Sequence, residues 1–473
     1  MQIIRFIFAI CLTVFCASTT SAATYHVGPS GGLASLNQVP WETLKPGDLV
    51  LVDWQTNSYK SKWVIARSGT VDAPITVRGI PGPNGELPVI DGNGATTRGQ
   101  LNYWGDTRGV VKIGGANVPS AWFAKFIVLE NLEIRSGRPP YTYTSFDRTV
   151  KKYASNAAAI WVEGGINITV RNCILRDNAN GLFVSSGDDL ASRNILVEGC
   201  HIYDNGIGNS GQQHNVYTEA VGVTFQFNWF GPLRTNCLGN NLKDRSAGLA
   251  VRYNWIEGGD KNLDLVDASD SVIVRTNPLY ATTFVYGNIL IKPKKSANSR
   301  IVHYGGDMLN TNFYRKGRLY FYNNTVVSYR TNATTALFWL SNNDHQCDCR
   351  NNIVYMTSGG ASLALLYGGG VLQLSHNWFK PGWKKDLFTS PKLVSDDGTS
   401  VMGASPNFLN EAAQDFHLSA ASACRNAAMI LPAPVLPAND VTSEYVKHQT
   451  GETRPLDQNL DIGAYEFWGI SSP

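Results

Sequence analysis

The chain has 473 residues, 40 Lys and Arg against 37 Asp and Glu, a formal net charge of +3 and only 16% charged residues. No basic run appears, which excludes a nucleic-acid binder held by charge. Forty-five glycines and an 11% aromatic share point instead to β-rich, turn-rich structure.

Residues 1–22 read as a secretory leader. Arg5 is their one charge, an apolar run follows from Phe6 to Phe15, and small residues lead to Ala22 and Ala23. Cleavage after Ala22 or Ala23 predicts a secreted or periplasmic protein. Phe15 is too bulky for a lipoprotein signal at Cys16. No later stretch is long and apolar enough to span a bilayer as a helix. Residues 23–473 are expected to form one domain that acts as a monomer, because repeat proteins grow along one axis rather than by adding cores.

The body opens with Thr24–Ser30, then Leu44-Lys-Pro-Gly-Asp-Leu-Val-Leu-Val52. From residue 168 one short unit recurs: Ile168–Leu175, Ile195–Ile202, Val223–Phe230 and Leu249–Ile256, with later copies at Leu319–Val326, Cys347–Val354 and, more loosely, Val371–Trp378. Each is an alternating apolar strand, then Asn or Cys at a fixed place, then an apolar pair. The sixth positions Cys173, Cys200, Asn228 and Asn254 are spaced by 27, 28 and 26 residues. A strand-turn-strand unit with a period in the twenties is the mark of a β-solenoid. The fold class expected is all-β: a single-chain right-handed parallel β-helix with N- and C-terminal caps. Stacking then sets like on like, so the Cys and Asn positions should form internal ladders.

Of eight cysteines, two lie in the leader; Cys173, Cys200, Cys237, Cys347, Cys349 and Cys424 remain. None forms a C-x-x-C pair, so a zinc site is not expected. Export permits disulfides, but no pairing follows from spacing. Cys347 and Cys349 should share one face, with Asp348 on the other.

The chemistry-bearing residues fall between these repeats. His214–Phe225 aligns without a gap on Asn240–Val251, placing Tyr217 beside Lys243 and Glu219 beside Arg245 in strands about 4.8 Å apart. Val216 and Leu242 take inward places, so Tyr217, Glu219, Lys243 and Arg245 point outward. The register carries the stripe back to Phe183 and Ser185, then to Trp161 and Glu163. Forward it reaches Asp264 and His303, across an insert at 271–285.

One outer face thus carries aromatics, a Tyr/Glu pair, a Lys/Arg pair, then Asp and His. Aromatic faces stack on sugars and cations pair with carboxylates, so the expected partner is an acidic polysaccharide. A uronic acid polymer can be cut by β-elimination once its carboxylate charge is neutralised. Lys243 and Arg245 could both reach one sugar, with Lys243 as base and Tyr217 or His214 sharing proton transfer. Arg245 would lower the pKa of Lys243 by like-charge repulsion. Trp161, Phe183, Glu219, Asp264 and His303 complete the expected substrate contacts. Asp260, Asp264, Asp267 and Asp270 are either Ca²⁺ ligands or turn formers; no other cofactor is expected. A hydrolase would instead need two carboxylates, such as Glu219 with Asp264 or Glu163 with Glu219.

These motifs carry a resemblance. The Pro46-Gly47-Asp48 turn and the Asp461-Ile-Gly-Ala-Tyr-Glu466 segment are similar to the opening turn and closing strand of secreted right-handed β-helix proteins. The pair His214-Asn-Val-Tyr217 and Leu242-Lys-Asp-Arg-Ser246 resembles the His-Asn-Ile-Tyr, Leu-Lys-Ser-Arg-Ala and Ile-Asp-Leu-Pro pattern of bacterial proteins of the pectate-lyase-like superfamily. The resemblance implies a polysaccharide lyase built on His214, Tyr217, Lys243, Arg245 and Asp264. C5-epimerases, glycoside hydrolases and non-catalytic glycan binders on the same fold stay open. Asp244 stands where the pattern has Ser, which leaves open whether its carboxylate pairs with Lys243 or binds an ion.

Overall fold

The computed structural model describes residues 22–331, 333–388, 392–456 and 459–469; the expected leader lies, but for Ala22, outside them. Three long sheets of 13, 11 and 14 strands run the length of a coil, and, the first few strands of the 14-stranded sheet apart, consecutive strands come from successive turns of the chain. We call them sheets one, two and three. Sheet one begins at Thr24–Val27 and ends at Leu393–Asp396, with every neighbour parallel to the last. This is a parallel β-helix.

Alternation explains the core. In sheet three Val216, Leu242, Leu263, Val302 and Phe338 stand in register, one per turn, and all are buried inside. Cys347 and Cys349 join the core as expected, while Asp348 faces out to Arg350 at 2.6 Å. All six cysteines of the body are free.

The corner between sheets one and two shows why the repeat exists. The residue before each ladder position is left-handed: Asn172, Gly199, Phe227, Tyr253, Gly287, Asn323, Asn351 and His376 have φ between 49° and 64°. Such a turn leaves backbone N–H groups without strand partners. The next residue supplies one from the turn above. Cys200 Sγ accepts from the Cys173 N–H at 3.4 Å, and Asn228 Oδ1 from the Cys200 N–H at 3.0 Å. Asn254, Asn288, Asn324, Asn352 and Asn377 continue the series. All these side chains are fully buried, so the ladder satisfies groups that water cannot reach.

Three expectations need correction. A further rung, Thr282–Tyr286 with Asn288, takes up the end of the stretch read as an insert; residues 266–281 leave the coil, in part as a short helix Val272–Arg275 and a 3₁₀ turn Pro278–Ala281. The last repeat starts one residue later than read, because Cys347 pairs with Leu372, so the ladder residue is Asn377. Asp461–Glu466 forms no strand. It lies back along the coil, with Gly463 and Ala464 donating to Asn351 O and Thr325 Oγ1, and its Ile462 and Tyr465 cover Trp255, Ile353 and Trp378 of sheet two. The other end is closed as expected: Leu36, Val39 and Trp41 are buried there, with Trp41 stacked on Trp63 at 4.8 Å.

Candidate functional site

One column of side chains projects outward from sheet three. In register it reads Trp161, Phe183, Tyr217, Lys243, Asp264, His303 and Trp339. Parallel stacking with one residue per rung makes the rings parallel too. Trp161 and Phe183 lie 4.0 Å apart at 5°, Phe183 and Tyr217 4.5 Å at 7°, and His303 and Trp339 3.7 Å at 8°.

Between the two aromatic stretches sits a charge cluster. The Lys243 ammonium donates to Asp264 Oδ2 at 2.9 Å and to Asp307 Oδ2. The Arg245 guanidinium donates to Tyr217 Oη at 2.7 Å, to Asp307 Oδ1 at 2.9 Å and to the Asp267 carbonyl. Asp307 thus bridges the two cations with its two oxygens. Asp264 also receives Asn240 at 2.7 Å and Lys261 at 3.4 Å, and holds the His303 ring at 2.8 Å. Burial would raise the Asp264 carboxyl, but Lys243, His303 and Lys261 hold it well below the usual carboxylate range.

The expected Lys243–Arg245 adjacency is present, but its setting differs. Lys243 is only 8% exposed and Arg245 5%, where an open face was expected. The segment 266–281 and the loop 305–316 fold over this part of the wall and bring Asp267, Asp307 and Arg315 to it. Glu219, Asp264 and His303 have almost no surface, so they hold neighbours rather than present themselves to a ligand. His303 is clamped between Asp264 and Ser341 Oγ at 2.9 Å. Trp161 is buried, with Arg108 over its face at 5.2 Å, whereas Phe183 stays half-buried.

The proton carriers are differentiated. His214 Nδ1 accepts the Asn240 N–H at 2.9 Å, which leaves Nε2 to carry the proton of the neutral ring. Burial, then the Lys243 charge, pushes His214 down to about 3, so it stays neutral. Burial holds Tyr217 well above the usual phenol range despite Arg245, so its hydroxyl keeps its proton. Burial and the nearby Asp270 charge push Glu219 up to about 8.

Asp244 pairs with Arg315 rather than with Lys243. It is fully buried, accepts Thr218 Oγ1 at 2.6 Å, and meets the fully buried Arg315 at 3.0 Å. The four aspartates considered for Ca²⁺ face different partners: Asp260 meets Asn298 at 2.7 Å, Asp264 the cations, and Asp267 the N–H of Asp307, while the Asp270 N–H turns to Glu219. Among the described residues no three His, Cys, Asp or Glu side chains converge as metal ligands.

The column opens, on its Phe183 side, into a cleft of about 510 Å³ lined by Arg108, Trp122, Trp161, Phe183, Asp189 and Asp270. A cleft of similar size on sheet two, between Glu257, Tyr329 and Glu411, has no such cluster beside it.

No protein-family model matches the sequence, and no curated protein matches it. Solved structures do. A pectate lyase, Pel9A, aligns over 94% of this chain and 97% of its own, at 13% identity and a TM-score of 0.50. A rhamnogalacturonan lyase aligns over 82% and 91%, at 13% identity and 0.48. The GH136 lacto-N-biosidase from Eubacterium ramulus aligns over 80% and 67%, at 14% identity and 0.47. The end-to-end match with the pectate lyase defines the class: this chain has the pectate-lyase-like right-handed parallel β-helix fold.

Proposed function

We propose that the chain is a carbohydrate-active enzyme that cleaves a uronic-acid-containing glycan by β-elimination outside the cytoplasm, where the leader at 1–22 would send it. One observation carries the reading: Lys243 and Arg245 stand side by side, gripping a common carboxylate, at the end of an aromatic column. A sugar carboxylate offers those cations the same two oxygens. The cleft beside Phe183 would seat neighbouring sugars. Neighbours on this fold include proteins named as pectate and rhamnogalacturonan lyases, which is consistent with the reading.

The chemistry follows from the groups present. Pairing of the sugar carboxylate with the Arg245 guanidinium withdraws its charge and makes the C5 proton removable. The Lys243 ammonium first releases a proton to solvent, and the free amine then takes the C5 proton. The C5–H electrons form the C4–C5 double bond and the C4–O bond breaks. Tyr217 gives its retained proton to the departing oxygen. Exchange with water restores both groups. Because the Arg245 guanidinium supplies the neutralising charge, chelators are expected to leave the rate unchanged.

The test is ultraviolet absorbance of the conjugated product on pectate, alginate, glycosaminoglycans and bacterial exopolysaccharides. Lys243→Ala should abolish the signal with the coil intact by circular dichroism; normal turnover in that variant overturns the centre.

A further inference from the structure

Three carboxylates neutralise the Lys243–Arg245 pair, and they are not equivalent. Asp264 and Asp267 have side chains 2% and 0% exposed and are built into the wall. The Asp307 side chain is 27% exposed, although the side chains of the cations it bridges are only 10% and 6% exposed. It is the carboxylate that solvent, or a ligand, can reach. We infer that Asp307 occupies the place of the substrate carboxylate, so that a uronate enters by displacing it and the loop 305–316 sets the affinity of the site. This rests on the uronate reading above.

The geometry suits exchange. Asp307 uses one oxygen for each cation, as a uronate carboxylate would. Each cation keeps a partner when Asp307 leaves: Lys243 has Asp264 at 2.9 Å, and Arg245 has Tyr217 Oη at 2.7 Å and the Asp267 carbonyl. Departure therefore strands no buried charge on the protein side. Lys243 and Arg245 together hold the Asp307 carboxyl below its usual range against the effect of burial, so it is ionised and competes as an anion.

The backbone around Asp307 is pinned while its side chain is not. Asp267 Oδ1 accepts the N–H groups of Asp307 and Met308 at 2.8 and 3.4 Å. Gly305, at φ +132°, lies where a Cβ would meet the His345 ring and Ser341 Oγ at 2.7 Å, and a Cβ on Gly306 would run into the Tyr314 ring. The loop root is thus close-packed. Beyond it the chain is open to solvent, with Leu309 fully exposed. Rotation of the Asp307 side chain alone vacates the position, and no strand has to move.

The experiment is titration calorimetry with trigalacturonate, trimannuronate and a hyaluronan tetrasaccharide, on the wild-type chain and D307N, with maltotriose as a neutral control. The amide keeps the shape and removes the competing charge. The inference expects at least one uronate oligosaccharide to bind D307N tenfold or more tightly than wild type, with maltotriose unchanged. Equal affinity for a uronate in both proteins overturns the role of Asp307 and leaves the uronate reading standing. Weaker binding to D307N makes Asp307 a ligand contact and also overturns it. Absence of uronate binding to both folded proteins overturns the inference and the uronate reading together. Should D307N not fold, the same titration on Asp307→Ser decides.

Discussion

Substituting Glu219 by glutamine should change how stability depends on pH. The carboxyl is buried against the wall: Oε1 accepts the Asp270 N–H at 3.1 Å, Oε2 meets no hydrogen-bond partner among the described residues, and the Asp270 charge is near. These surroundings favour the neutral acid, and the group moves from an ordinary value of 4.5 up to about 8. The folded state therefore binds this proton more tightly than the unfolded chain does. Its contribution is complete below about pH 4.5 and is lost as pH rises through 8. A displacement of that size corresponds to an upper value of about 5 kcal/mol. Glu219→Gln mimics the protonated acid at every pH. The variant should match the wild type near pH 5 and exceed it by several kcal/mol, at most about 5, near pH 9. Urea unfolding followed by tryptophan fluorescence across that range measures the difference. Parallel stability profiles for the two proteins would refute the burial argument.

Other outcomes follow from buried partners. Asn254→Ala removes the Oδ1 that accepts both the Asn228 N–H and its side-chain amide, at 3.0 and 2.9 Å. Urea unfolding should show a loss of about 3 kcal/mol, because the N–H is left dry and unpaired. Cys200→Ala should cost less, since a sulfur is the weaker acceptor. Arg315→Met strands the Asp244 carboxylate in a fully buried site and should cost about 3–5 kcal/mol; a midpoint within error of wild type would show that Thr218 and the Ser246 N–H suffice for Asp244.

The coil was legible because its rule is local. Strand alternation and a recurring Asn or Cys place every inward residue without knowledge of loops, so the pairings Phe183–Tyr217–Lys243–Asp264–His303 follow from alignment alone. Partners supplied by loops were not legible. Asp307 reaches Lys243 from 64 residues away, and no periodicity encodes that approach. Its one signal is Gly305-Gly306-Asp307 directly after the strand bearing His303, a sharp exit from the wall with a charge at its tip. Exposure was misjudged for the same reason: alternation tells in from out, but not whether a neighbouring loop covers what points out. The phase of the last repeat failed because His376 mimics a ladder residue in sequence, while its φ of 49° makes it the turn residue before Asn377.

The asparagine or cysteine at each corner works as a ratchet tooth. Neighbouring teeth engage whether 26, 34 or 36 residues separate them in the chain. Excursions of any length can therefore be spliced between teeth while the wall keeps its pitch. The pieces framing the cation pair, at 266–281 and 305–316, lie in the two longest of these intervals. Ligand preference could drift there, residue by residue, on a scaffold that does not feel the change.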